Sequence, residues 1–281
     1  MLTAYEVAKI NEHRQALATS ELVDDRAPLA DGWMSFTPGV KWCNCATGAG
    51  LSAAVGDVEL DALEAFYAQR GVPAAIELTT LVSQDLLGKL GGRGFRIEHF
   101  ENVLARPLAD GDEPLALLSH ALPAGLEIRE TDKGDGGQVG AHAALVSGGF
   151  RLDGAEPDAA KIAILERAVV HERSTSFMAL IDGQLAGACS MEICTIDGVT
   201  ACSLWGTAVA TPYRKRGIQQ AMIAKRLAYG IEHGCTLAII ESKPGIPTER
   251  NAARLGFALS YVRFMMSNAR PDGHKPGLSG D

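Results

Sequence analysis

The 281-residue sequence has no apolar run near the roughly 20 residues that a membrane-spanning helix needs. Its N-terminus also lacks the basic-then-apolar pattern of a secretory signal peptide. Mean hydropathy is +0.05 and 21% of the residues are charged, a globular composition with enough chain for two cores. We therefore expect a cytoplasmic protein without a membrane partner.

Cysteine is scarce and scattered along the chain. Four of the six cysteines are single residues inside apolar, strand-like runs, where reduced cysteine behaves as a small hydrophobe. Cys43 and Cys45 form a C-x-C pair with no second cluster of Cys or His nearby. We expect these thiols to be buried in strands, and we expect no metal site.

Basic residues are deficient in the first half only. Residues 1–120 hold 17 Asp and Glu against 9 Lys and Arg, whereas residues 121–281 hold 17 of each. An acidic half argues against nucleic-acid binding. It is compatible with plain solubility and with attraction of a cationic acceptor.

Three catalytic or nucleotide-binding patterns are missing. There is no G-x-x-x-x-G-K-[ST] for a nucleoside triphosphate and no strand-linked G-x-G-x-x-G for a dinucleotide. There is also no G-x-S-x-G, so a serine hydrolase of that type is not expected.

A polar stretch from Pro107 to Pro114 divides the chain, and we expect a linker between there and Pro123-Ala124-Gly125. This predicts an N-terminal domain over residues 1–120, a second domain over 121–270 and a flexible tail over 271–281.

Both halves mix strands with helices. In the first half, the pattern predicts helices at Thr3–Ala18, Leu60–Gln69 and Ser83–Leu90, and strands at Trp33–Phe36, Lys41–Ala46, Ala74–Thr79 and Phe95–Ala105. In the second half, it predicts strands at Leu126–Thr131, Ser176–Asp182, Gln184–Thr195, Thr200–Ala210, Thr236–Glu241 and Phe257–Met266, and helices at Gln138–Val146, Asp158–Val170, Gly217–His233 and Pro247–Leu255. Asp182-Gly183 and Asp197-Gly198 predict hairpin turns. Each half ends with a helix, Gly-Phe and a strand, which indicates either a diverged duplication or a common helix exit.

The most informative stretch follows the strand that ends near Val209. Arg214, Lys215 and Arg216 precede Gly217, which opens an amphipathic helix. A helix start has unpaired N–H groups and a partial positive charge, so three cations there are misplaced unless an anion binds. The pattern favours a phosphate site, although three loop cations can also be merely solvated.

This stretch resembles the acyl-CoA signature R/Q-x-x-G-x-G/A of GNAT acyltransferases, with Arg214, Gly217 and Gln219 at the defined positions. The segment from Thr248 to Phe257 resembles the later GNAT motif, an Asn-bearing helix that ends in Gly-Phe, and the order of elements over Leu126–Met266 matches the family. The first half resembles the degenerate N-terminal half of tandem members. The resemblance implies an α+β fold of two GNAT-like domains, each a mixed, mostly antiparallel sheet flanked by helices.

The resemblance also implies where acyl-CoA, most simply acetyl-CoA, would bind. The thioester would lie where two parallel strands ending near Val209 and Glu241 splay apart, with a main-chain N–H near Val209 polarising its carbonyl. The implied contact residues are Ala208, Val209, Arg214, Lys215, Arg216, Gly217, Ile218, Gln219, Gln220 and Asn251. Backbone N–H groups from Arg216 to Gln220 would hold the pyrophosphate, and Asn251 the pantetheine arm.

Two positions depart from the family pattern. Gln219 stands where the family has Gly or Ala, and Ala252 stands where many members have a tyrosine that protonates the thiolate. Tyr213, Tyr261 or solvent would have to supply that proton. Glu192 and Glu241 are candidate bases for the acceptor amine, because each lies in or at the end of an apolar strand. A satisfied or solvated role is expected for His142 and His171.

These observations predict an acyltransferase that moves an acyl group from acyl-CoA to an amine of a small molecule or protein. Because the family tyrosine is missing, a non-catalytic acyl-CoA-binding or regulatory protein is the main alternative. A third interpretation treats the first half as a partner-binding module and the pair as a scaffold.

Overall fold

The computed structural model describes residues 2–118, 121–149 and 158–269. The predicted flexible tail at 271–281 lies outside these residues. The strands are β1 (Asp25–Leu29), β2 (Gly32–Phe36), β3 (Ala46–Thr47), β4 (Ala75–Thr79), β5 (Arg96–Pro107), β6 (Leu126–Glu130), β7 (Ser174–Ile181), β8 (Gln184–Ile196), β9 (Val199–Val209), β10 (Leu237–Ser242) and β11 (Ala258–Ser267). The helices are α1 (Ala4–Leu22), α2 (Asp57–Ala68), α3 (Gln84–Gly92), α4 (Gly136–Gly149), α5 (Ala159–Val170), α6 (Ile218–Glu232) and α7 (Pro247–Arg254).

Local signals account for most of these boundaries. Thr3 and Glu6 form a reciprocal capping box at the start of α1, and Asp158 caps α5 by accepting from the backbone N–H of Lys161. Both predicted hairpin turns are present: Asp182 and Asp197 have φ of 49°, and the glycine after each has φ of 78°. Two successive positive φ values match the right-handed twist of the flanking strands.

Two predictions for the first half were wrong or incomplete. Lys41–Ala46 is not a strand: Lys41–Cys43 is a single 3-10 turn, and β3 begins only at Ala46. Cys43 and Cys45 are nonetheless buried free thiols, as expected, but they lie outside strands. β1 was not predicted, because its sequence Asp-Arg-Ala-Pro-Leu combines two charges with a proline and its strand pattern is weak.

The strands of the described residues form one mixed sheet in the order β1-β2-β3-β4-β11-β5-β10-β9-β8-β7-β6. The order β-β-β-α-β-α-β occurs twice, from β1 to β5 and from β7 to β11. In each half the first two pairings are antiparallel and the next, β3 with β4 or β9 with β10, is parallel. The predicted common order of elements is therefore present.

The last strand of each half pairs with the other half. β5 lies beside β10, and β11 lies beside β4, while β5 and β11 pair antiparallel at the centre of the sheet. Leu104 of β5 accordingly belongs to the core beneath α6, and Phe264 of β11 to the core beneath α2. The sheet crosses the boundary predicted near residue 120, so the division into two domains stays a prediction.

Helix α1 packs on the sheet where the halves meet. Its apolar residues contact Val103 of β5, Ile239 of β10 and Tyr261 of β11. The polar face of α1 thereby reaches the centre of the sheet, where it contributes side chains to the site described next. Among the described helices, none is long and apolar enough to cross a membrane.

Candidate functional site

The parallel pair β9–β10 opens towards its C-terminal ends. Paired positions run from Ala201 and Leu237 to Leu204 and Ile240 and then stop. β9 continues to Val209, so its last five residues have left β10. The splay that the resemblance implied is therefore present, and it leaves room between the strands for a ligand.

The turn after β9 leads from this opening to α6. Arg214 is anchored at the strand end, where its Nε donates to the carbonyl of Val209 at 3.1 Å. Gly217 is the N-cap of α6 with φ of +77°, and Lys215 also has a positive φ of 62°. This left-handed geometry costs any residue other than glycine about 1–2 kcal/mol, which explains why glycine is found at position 217.

The N-cap of α6, Gly217, has no side chain with which to cap the helix. No side chain of the described residues hydrogen-bonds there, and the first turn contains no acidic residue. The guanidinium of Arg216 lies 5.8 Å from the ring centre of Tyr213, so a cation stays beside the helix end. An uncapped N-terminus flanked by cations is arranged to receive an anion.

The equivalent helix of the first half is closed to anions. At the start of α2, Glu59 accepts from the backbone N–H of Gly56, and Asp57 adds a second negative charge. In the preceding loop, the carboxylate of Asp31 accepts from the N–H groups of Gly50 and Ser52 at 2.8 and 2.7 Å. These carboxylates occupy three N–H donors and place negative charge at the start of α2, which disfavours an anion there.

Gln219, where the family has a small residue, joins α6 to α7. Its amide donates to Thr248 Oγ1 at 3.0 Å and accepts from Asn251 Nδ2 at 2.6 Å, and Gln220 donates to Asn251 Oδ1 at 3.0 Å. The side chain of Asn251, which was predicted to contact the pantetheine arm, is therefore hydrogen-bonded to α6. The contacts of Asn251, Ala208 and Ile218 with CoA stay predictions.

A cavity of about 320 Å³ adjoins the opening, and both halves line it. One of its lining residues is Arg263 of β11, whose side chain is 2% exposed and whose Nη2 donates to Glu101 at 2.8 Å and to Glu241 at 2.7 Å. Glu12 and Glu77 lie further from the same guanidinium, at 3.7 and 3.8 Å. One buried cation is therefore shared among four carboxylates.

The two candidate bases both lie in this network. Glu192 is 4% exposed, and its oxygens accept from Arg14 at 3.1 Å and from Arg173 at 2.8 Å. Burial of Glu241 opposes ionisation, but the charges of Arg263 and Arg14 outweigh it and lower the pKa of Glu241. The lowered pKa makes Glu241 a weak proton acceptor, and Glu192 is held between two arginines.

The two candidate acids differ in availability. Tyr261 is buried, donates to Glu12 at 2.5 Å, and has a pKa raised well above its usual value, first by burial and then by the charge of Glu12. The hydroxyl proton of Tyr261 is therefore already donated to Glu12. Tyr213 lies in the turn after β9 and is half-buried against the core beneath α6. Ala252, in the family tyrosine position, is fully buried.

Glu77 and Arg263 were missed by the sequence analysis. Burial raises the pKa of Glu77 to about 8, with Arg263 lowering it and Glu101, Glu12 and Glu241 raising it. Both could have been found by the criterion used for Glu192, which is a single charged residue inside an apolar strand. The two sequences are Ile76-Glu77-Leu78 and Val262-Arg263-Phe264.

His142 has the satisfied role that was expected. Its Nδ1 lies 3.2 Å from Thr131 Oγ1 and its Nε2 lies 3.1 Å from Ser190 Oγ. Burial, assisted by the charge of Arg226, lowers the pKa of His142 to about 4, so the ring is neutral at pH 7. His171 lies at the end of α5 and lines the cavity, 3.3 Å from Glu21.

Comparisons with known proteins agree with this geometry. The model of the acetyltransferase (GNAT) family matches residues 147–257. A solved GCN5-related N-acetyltransferase from Kribbella flavida shares the fold with a TM-score of 0.66 and 17% identity, over 98% of both chains. A tandem GNAT protein from the clavulanic acid biosynthesis pathway gives a TM-score of 0.57 and 18% identity, over 86% of this chain and 75% of its own. No curated protein matches the sequence.

The class of the protein follows from the fold and this match: residues 147–257 form a domain of the acetyltransferase (GNAT) family. This segment therefore matches a family of acyltransferases, and the chain shares its overall fold with solved structures that include a tandem GNAT protein.

Proposed function

We propose that the protein transfers an acyl group, in the simplest case acetyl, from acyl-CoA to a primary amine. The observation that carries the proposal is the contrast between the two helix starts. Within the described residues no side chain caps the N-terminus of α6, which lies beside three cations, whereas the start of α2 carries the carboxylates of Asp57 and Glu59. The pyrophosphate of CoA is an anion that fits the first arrangement and is repelled by the second.

In this proposal the backbone N–H groups of Arg216 to Gln219 hold the pyrophosphate, and the opening between β9 and β10 receives the thioester. The ammonium of the acceptor first gives up a proton, and the neutral nitrogen then attacks the thioester carbonyl carbon. The C–N bond forms as the C–S bond breaks, the attacking nitrogen loses a second proton, and the departing thiolate takes up one. One proton is released for each amide and free thiol formed.

Tyr213 is the phenol that we propose as proton donor to the thiolate. It lies in the turn between the end of β9 and Gly217, and no described residue hydrogen-bonds its hydroxyl. Tyr261 is unsuited because its own proton is donated to Glu12.

Ala252 favours a second candidate, a non-catalytic acyl-CoA-binding protein, because that helix offers no phenol. Release of free thiol from acetyl-CoA in the presence of a panel of primary amines separates the two functions. Amine-dependent release supports transfer, and CoA binding without any release supports the second candidate.

Binding of CoA is tested by calorimetric titration of the wild type, Gly217→Ala and Gly217→Asp. Gly234 has φ of +74° and open space around it, so Gly234→Ala is a control that carries the same backbone strain at the other end of α6. We expect Gly217→Ala to weaken binding and Gly217→Asp to abolish it, because the aspartate adds a negative charge at the helix start. Wild-type affinity in Gly217→Asp contradicts the proposal.

A further inference from the structure

The cavity around Arg263 extends to the point where β9 and β10 separate. Trp205 lines it, and Trp205 is the first residue of β9 beyond the last position paired with β10. A volume of about 320 Å³ is at the lower end of the range for small-molecule sites. A molecule bound in this cavity would therefore lie next to the opening between the strands.

The charges that line the cavity favour a cation. Four glutamates line it, namely Glu77, Glu101, Glu192 and Glu241, against the two guanidinium groups of Arg14 and Arg263. The carboxyl groups outnumber the guanidinium groups two to one, and a bound ammonium group would favour the ionised form of Glu77, which is otherwise protonated below about pH 8.

Glu77 is the least engaged of these carboxylates. Glu101 and Glu241 accept short hydrogen bonds from Arg263, and both oxygens of Glu192 accept from arginines. The side chain of Glu77 is 10% exposed, and its nearest donor among the described residues is Gln15 Nε2 at 3.5 Å. A carboxylate that is nine-tenths buried and lacks a close partner is costly unless a ligand completes its contacts.

Arg263 supplies a second, independent sign of a ligand. Its Nε and Nη1 are buried and have no hydrogen-bond partner within the part of the chain that the structure describes. The nearest carboxylates, those of Glu77 and Glu12, lie at 3.8 and 3.7 Å, beyond hydrogen-bond distance. These donors are shielded from solvent, so an uncharged ligand oxygen reaches them only when a neighbouring side chain shifts, and the surrounding glutamates would repel a ligand carboxylate.

We propose that this cavity is the acceptor site and that its occupant is a small primary amine bearing a neutral oxygen, such as an amino alcohol. Glu77 of the N-terminal half binds the ammonium group, and Arg263 donates to the oxygen. Glu77 is then a specificity-determining residue, and the first half of the chain is part of the enzyme's acceptor site. The inference rests on the proposed function, because it requires acyl-CoA in the adjoining opening.

The test compares Glu77→Gln with Glu127→Gln, the same chemical change on the exposed strand β6. The probes are primary amines with and without a hydroxyl group, of which ethanolamine and propylamine are the simplest pair of equal size, and the zwitterion glycine. Thiol release from acetyl-CoA gives kcat and KM for each amine. We expect Glu77→Gln to raise the KM for ethanolamine at least tenfold with kcat within about threefold, because a charge-assisted hydrogen bond is lost.

In the wild type, ethanolamine should have a lower KM than propylamine and than glycine, and Glu127→Gln should match the wild type. An unchanged KM in Glu77→Gln, a preference for glycine, or no accepted amine in a protein that binds CoA would each overturn the inference. CoA titration of the same variants separates the two proposals. Failure of the wild type to bind CoA overturns the proposed function, whereas normal CoA binding with an unchanged KM overturns only the acceptor site.

Discussion

The stability of the protein should depend on pH through Glu77. Its carboxyl group faces Arg263 from β11, Glu101 from β5, Glu241 from β10 and Glu12 from α1. Burial raises its pKa from 4.5 to about 8. Between these two values the folded state binds more protons than the unfolded state, so the free energy of unfolding falls as pH rises through this window.

The size of the effect follows from the shift. One pKa unit corresponds to about 1.4 kcal/mol, so a shift from 4.5 to about 8 costs the wild type about 5 kcal/mol once Glu77 is fully ionised. Glu77→Gln resembles the protonated form at every pH and avoids this cost. Between pH 5.5 and pH 8.5 the stability of the variant relative to the wild type should rise by about 3 kcal/mol.

Urea unfolding of the wild type, Glu77→Gln and Glu127→Gln at both pH values measures this difference. Glu127 is exposed, so its variant should follow the wild type at each pH. A stability difference for Glu77→Gln that stays constant between the two pH values would refute the raised pKa. A wild type that gains stability relative to the variant as pH rises would show instead that Arg263 holds Glu77 ionised.

The two effects predicted for Glu77→Gln have opposite consequences. The variant should be more stable at alkaline pH and bind the acceptor amine less well, as is common when an active site retains an unfavourable buried charge. A purely structural glutamate would not combine a gain in stability with a raised KM.

Other parts of the site give further predictions. Tyr213→Phe should lower kcat more than about tenfold, and a full rate would exclude this phenol as the acid. Arg214→Ala and Arg216→Ala should each weaken CoA binding by about 1–3 kcal/mol, less so at high salt; a loss that calorimetry finds to be independent of salt would contradict a direct charge contact. The pKa of His142 is lowered to about 4, so the free energy of unfolding should fall as pH drops from 6.5 to 4. His142→Gln should lack this dependence in urea unfolding, and its persistence would assign it to another group.

Sequence signals that act over a few residues determined most of the secondary-structure boundaries in the second half. The two Asp-Gly turns, the cap at Asp158 and the start of α6 at Gly217 each depend on the backbone preferences of one or two residues. The helix start that we propose as the phosphate site was likewise visible in the sequence, because its three cations and its glycine are adjacent in the chain. The 3-10 turn at Lys41–Cys43 was missed because a short apolar run does not distinguish a strand from a buried turn.

Only the tertiary structure decided which strands meet and which side chains share the cavity. The pattern of β5 shows a buried strand, but it does not show that the partners are β10 and β11, about 130 to 170 residues further along the chain. Pairing over such distances depends on the packing of whole cores rather than on local preference. β5 pairs with β10 of the other half, and β11 pairs with β4 of the other half. These pairings bring together four side chains from four different strands, namely Glu77, Glu101, Glu241 and Arg263. No local sequence signal could indicate this.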